Sequence, residues 1–175
     1  MRARLLHFVR NARGDRLWLR LSLCAAVLGL LVWIASSDGT MAGIQSTFAR
    51  TTAAILNLFG EEASVDGNTV ETERFGISVV TACTGLFLTG LFAIAVIAYP
   101  ARARSKLVGV GVGICGIYVV NVVRLITIYY VGAYLPGMLD TVHLLVWQSL
   151  LIAFGVALWL LWAGKASRAS RSEAK

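Results

Sequence analysis

The chain has little charge and almost no proline. Only 14% of its 175 residues are charged, where soluble domains carry about a quarter. Two prolines exclude a collagen-like or proline-rich chain, and 58% hydrophobic residues exclude a disordered one. Three cysteines in separate segments make neither a disulfide scaffold nor a Cys-x-x-Cys metal site. Histidine is scarcer still, with only His7 and His143. What the chain has in plenty is apolar length, at a mean hydropathy of +0.75. That composition belongs to an integral membrane protein.

A span needs roughly 20 mostly apolar residues to cross about 30 Å of hydrocarbon. Four stretches qualify: 17–35, 81–99, 107–135 and 143–163. They predict an all-α integral membrane protein built as a four-helix transmembrane bundle. The third stretch is longer than a span needs, so it should tilt, protrude or break near its far end. The basic-then-apolar start is like a signal peptide, but Ala35-Ser36-Ser37 is a weak cleavage site. We read it as an uncleaved anchor.

The basic residues set the expected orientation. The tail 1–16 with Arg20, the loop 100–106 and the tail 164–175 hold 13 of the 16 Lys and Arg residues. Arg50, Arg74 and Arg124 are the others. Seven of the nine acids (Asp38, Glu61, Glu62, Asp66, Glu71, Glu73, Asp140) fall on the opposite side. Both termini are therefore expected in the cytoplasm. The +7 balance reads as topology, and no nucleic-acid partner is expected. Trp18, Tyr99, Trp159 and Trp162 would mark the inner interface, and Trp33, Tyr129, Tyr130 and Tyr134 the outer one.

Residues 36–80 form the only sizeable segment outside the spans, with a short loop at 136–142. Met41, Ile44, Phe48, Ile55 and Phe59 share roughly one helical face, which predicts a small helix lying in the outer, periplasmic interface. The turn signal Asp66-Gly67-Asn68 is followed by the alternating runs 69–73 and 75–79, which predict a β-hairpin. Within the third span, Gly109 and Gly113 form a small-xxx-small pair suited to close helix packing. These glycines follow no strand, so they are not read as a phosphate loop.

Three polar groups stand out from the apolar background. Arg124 lies inside a span, where a guanidinium costs several kcal/mol unless paired or wet. Asn121 sits three residues earlier on the same helix face. Cys83 opens the second span, where the helix dipole favours a thiolate. Cys24 and Cys115 sit among aliphatics and read as apolar fillers. His143 opens the fourth span and is the only histidine on the outer side. At 1.5 Å per residue, Cys83 stands roughly 24 Å from Tyr99, Arg124 roughly 26 Å from Leu107 and His143 roughly 29 Å from Trp162. Three spans thus carry a thiol, a guanidinium and an imidazole to one layer near the outer surface.

That trio has a natural chemical assignment. Cys83 would attack a carbonyl, and His143 would take its proton and return one to the leaving amine. Arg124 would stabilise the oxyanion, with Asn121 orienting it. No metal set and no cofactor is expected.

The motifs resemble those of the exosortase/archaeosortase family of membrane transpeptidases. They are Ala82-Cys83-Thr84-Gly85, Asn121-Val122-Val123-Arg124 and His143, in that order. Thr84 stands where the family usually has serine. The resemblance covers 79–162, and the chain's size is similar to that of the short, exosortase H-like members. It implies a cysteine transpeptidase or protease in a bacterial inner membrane, with its site facing the periplasm. The implied substrates are membrane-anchored proteins with a C-terminal sorting signal: a short motif, a transmembrane helix and a basic tail. Cleavage would pass through a Cys83 thioester, resolved by an acceptor amine or by water. The competing expectation is a non-enzymatic scaffold or assembly subunit, in which Arg124 and His143 are structural or bind lipid. A transporter using Arg124 as an anion site is disfavoured by the absence of an inverted repeat.

Overall fold

The computed structural model describes residues 2–172, and side-chain surroundings are described for 17–168. The basic side chains expected on the cytoplasmic tails at Arg2, Arg4, Arg10, Arg13, Arg16, Arg171 and Lys175 lie outside those residues, as does His7.

Among the described residues five α-helices carry the fold: α1 (Arg2–Ser36), α2 (Asp38–Leu58), α3 (Leu86–Ala98), α4 (Ala103–Tyr134) and α5 (Trp147–Ser172). Between α2 and α3 lie three short strands, β1 (Ser64–Asp66), β2 (Thr69–Glu71) and β3 (Gly76–Ser78). Among the described residues three helical segments are long and apolar enough to cross a membrane: Leu17–Ser36, Ala103–Tyr134 and Pro136–Arg168. The apolar stretch 81–99 differs from the other three. Its helix, α3, has 13 residues, roughly 20 Å. Thr81–Cys83 is instead a 3-10 turn, and Gly85 adopts a left-handed conformation at φ 66°. The long third stretch is one continuous helix, α4.

Helix α3 packs on α1, α4 and α5. Glycines set how closely they approach. A Cβ on Gly90 would lie 2.0 Å from Leu31 of α1, and one on Gly113 would lie 2.2 Å from Phe92 of α3. A Cβ on Gly109 would strike the Trp162 indole at 2.4 Å. Small residues therefore let ring and aliphatic side chains reach a neighbouring backbone. At this end Tyr99 meets Trp159 and Trp162 edge-on, with centroids 5.9 and 5.5 Å apart. The Trp162 Nε1 donates to the Ser105 carbonyl at 3.0 Å.

The other end is capped by α2 and the sheet. Helix α2 buries Met41, Phe48, Ala49, Thr52, Ala53 and Leu56, whereas Phe59 just beyond it is exposed. The strands form one antiparallel sheet in the order β1-β2-β3. Gly67 at φ 59° makes the tight turn between β1 and β2. Val70 and Ile77 point into the core shared with α2 and α4. Strand β1 is an addition to the expected hairpin. Its three residues are too few for alternation to be legible.

Tyr129 departs from its expected place at the membrane interface. It is fully buried. Its hydroxyl donates to Glu61 Oε2 at 2.8 Å and meets Thr72 Oγ1 at 2.9 Å. Arg74 pairs with the same Glu61 and also reaches the Tyr134 hydroxyl. These contacts tie the sheet to the far end of α4, because a buried hydroxyl must find partners.

Candidate functional site

The segment joining the sheet to α3 shapes the site. Val79 is buried. The chain then tightens, and Cys83 N–H donates to the Val80 carbonyl at 2.8 Å. Thr84 holds the turn closed: its Oγ1 donates to the Thr81 carbonyl at 2.8 Å and accepts from Leu86 N–H at 3.4 Å. Cys83 is 5% exposed and belongs to a buried cluster with Val122, Leu125 and Trp147.

Gly85 links this turn to α4. A Cβ there would lie 2.3 Å from Asn121 Nδ2 and 3.0 Å from its Cγ. Two independent constraints therefore require glycine: a positive φ and the absence of space. Asn121 is itself fully buried. Its Nδ2 donates back to the Ile117 carbonyl at 2.8 Å, while its Oδ1 has no partner. The Cys-Thr-Gly turn and the Asn-x-x-Arg helix face are thus in direct contact.

Arg124 lies one turn further along α4. It is 3% exposed, its Nε has no hydrogen-bond partner, and among the described residues it makes no ion pair. It lines a cavity of about 380 Å³ together with Thr81, Ala82, Gly85, Leu86 and Gln148. A second, wholly apolar cleft of about 390 Å³ between α3 and α5 shares Leu88, Leu91 and Ile152 with the first. Arg124 therefore lines a cavity that adjoins an apolar cleft. A buried, unpaired guanidinium beside empty space is costly, and an anion or a strongly polarised oxygen there would relieve that cost.

His143 sits in a π-helical turn, Thr141–Val146, ahead of α5. Such turns are uncommon and often mark functional positions. The imidazole is half-buried, and the charges acting on it are those of Arg124 and Asp140. No hydrogen bond joins it to the Cys83 thiol among the described residues. The turn that bears Cys83 and Thr84 thus meets Asn121 through Gly85, and its Thr81, Ala82 and Gly85 line one cavity with Arg124, whereas Cys83, Thr84 and His143 are not among the residues that line it. Among the described residues no group of His, Cys, Asp and Glu could hold a metal ion.

Two contributors escaped the reading of the sequence. Gln148 and Thr81 line the Arg124 cavity, and Gln45 Nε2 donates to Thr81 Oγ1 at 3.4 Å. Gln148 carried a signal, as an amide five residues after His143 in an apolar stretch. Thr81 carried none.

An apolar helical bundle with a polar group buried at one end defines a membrane protein built around an internal site. The chain belongs to the transmembrane exosortase family, which it matches over residues 5–163. No curated protein and no solved structure matches it.

Proposed function

We propose that this chain is a membrane-embedded cysteine transpeptidase or protease that cleaves C-terminal sorting signals from exported proteins. One observation carries the reading: the buried guanidinium of Arg124 has an unpartnered Nε and faces a cavity walled by the turn that bears Cys83. A structural arginine would be paired. One that waits for an oxyanion is left open.

Cys83 is the nucleophile. Its thiol proton passes to His143 as sulfur bonds to the substrate carbonyl carbon. Arg124 takes the charge that develops on the carbonyl oxygen. The C–N bond then breaks, and His143 returns the proton to the departing amine, leaving a thioester on Cys83. An acceptor amine resolves it in transfer, or water in hydrolysis. Asn121 and Thr84 are positioning residues. Asn121 packs on Gly85, and Thr84 closes the turn. The thiol and the imidazole do not touch in the free protein, so the bound substrate must draw them together.

The substrates are membrane-anchored proteins whose signal is a short motif, an apolar helix and a basic tail. The recess between α3 and α5 suits such a partner. The enzyme sits in a bacterial inner membrane with both termini in the cytoplasm and the site toward the periplasm.

The test is co-expression with a reporter carrying such a signal from the same organism. Wild type is expected to shorten the reporter, and Cys83→Ala to abolish the shift while inserting normally. Conversion by Cys83→Ala at the wild-type rate would remove the nucleophile.

A further inference from the structure

Strand β3 leaves one backbone edge unused. On the β2 side, Val79 N–H donates to the Asn68 carbonyl at 2.9 Å and Thr72 N–H donates to the Phe75 carbonyl at 3.3 Å. Hydrogen-bonded pairs recur every second residue in an antiparallel ladder, so Val70–Ile77 is the pair between them. Gly76 and Ser78 fall on the alternate positions. Their N–H and C=O groups point away from β2, on the outer edge of the sheet. Both residues are exposed, and no backbone hydrogen bond occupies that edge among the described residues. The run Phe75-Gly76-Ile77-Ser78-Val79-Val80 contains no proline, lysine or inserted charge of the kind that guards edge strands. Glycine and serine leave the backbone open to an incoming chain. The same strand runs through Val79 and Val80 straight into the turn that ends at Cys83.

We propose that this edge docks an extended segment of the peptide substrate by strand addition. The segment pairs with Gly76 and Ser78 and lays its scissile carbonyl beside Cys83. The inference rests on the acyl-transfer reading above and names how that substrate is held. Two donors and two acceptors set direction and register, and main-chain pairing of this kind leaves sequence preference to pockets for alternate side chains. The edge of β1 cannot serve, because β2 and β3 separate it from Cys83.

Register is the measurable consequence. Single cysteines are placed at Ser78 or Gly76 in a chain carrying Cys24→Ala, Cys83→Ala and Cys115→Ala. Gly76 has room, since a Cβ there meets nothing nearer than the Val70 carbonyl oxygen at 3.8 Å. The probe is the signal-bearing reporter with one cysteine scanned along its extended segment. Moving the enzyme cysteine from Ser78 to Gly76 is expected to shift the cross-linked reporter position by two residues, the period of a strand. Absent or unshifted cross-links, while wild type still converts the reporter through Cys83, overturn the edge and leave the activity standing. Conversion that does not depend on Cys83 overturns both. A second variant needs no cross-link. Ser78→Pro removes one outward N–H and no ladder bond, so it is expected to raise KM about tenfold. An unchanged KM for Ser78→Pro, at normal membrane accumulation, also overturns the proposal.

Discussion

Under the proposed acyl transfer, Arg124 sets stability and activity against one another. Its head group is buried, its Nε lacks a partner, and no carboxylate pairs with it among the described residues. A residue kept only for the fold would be better replaced by an apolar side chain of similar reach. Arg124→Met is therefore expected to hold or raise stability, by about 1–3 kcal/mol, while activity falls at least ~100-fold, the scale for losing an oxyanion donor. Arg124→Lys should fail as well, because an ammonium lacks the planar fork. Thermal unfolding in detergent and reporter conversion measure the two effects separately. If Arg124→Met unfolds the protein, or Arg124→Lys works at full rate, the guanidinium is structural or merely a charge.

The elements show why α3 begins so late. Residues 81–85 are apolar or small enough to join a span, and periodicity alone runs the helix through them. The chain breaks there because Gly85 turns left-handed where Asn121 leaves no space for a Cβ. Gly85→Ala meets both obstacles at once. It is expected to cost about 1–3 kcal/mol for the backbone strain and to displace the Cys83 turn, with conversion lost even where the variant accumulates. Asn121→Ala should restore room but not φ, so the double variant is expected to recover part of the stability. An equal loss in single and double variants would show that the contact with Asn121 contributes nothing. The same contact marks what the sequence could not reveal. It identified the cysteine, the asparagine and the arginine by residue type and spacing. It could not place Gly85 against Asn121, 36 positions away, because that contact depends on how α3 docks on α4. Tyr129 misled for a similar reason. A tyrosine near a helix end suits an interface until a sheet settles over it and its hydroxyl finds Glu61 and Thr72.

Among the described residues most charge separates by end, Arg74 beside Glu61 being a base at the acidic end. Helix α4 spans 32 residues, roughly 48 Å, between the two poles. At its start stand Arg102, Arg104 and Lys106, whose ammonium donates to the Ile97 carbonyl of α3. At its far end Gly132 packs under Phe75 of the segment that carries Glu61, Glu62, Asp66, Glu71 and Glu73. The bases near α4's start and the acids around the sheet thus lie at opposite ends of α4. The proposed orientation puts the sheet and Cys83 outside. Ala103 and Glu62 are both exposed and lie at opposite poles, and neither change removes a basic residue. In a chain cleared of its own cysteines, Glu62→Cys is expected to react with a membrane-impermeant maleimide added to spheroplasts. Ala103→Cys should react only after the membrane is opened. The reverse pattern would turn the site toward the cytoplasm, where no exported substrate could present its signal to Cys83, and the sorting reaction would have to be abandoned even if the thiol proved reactive.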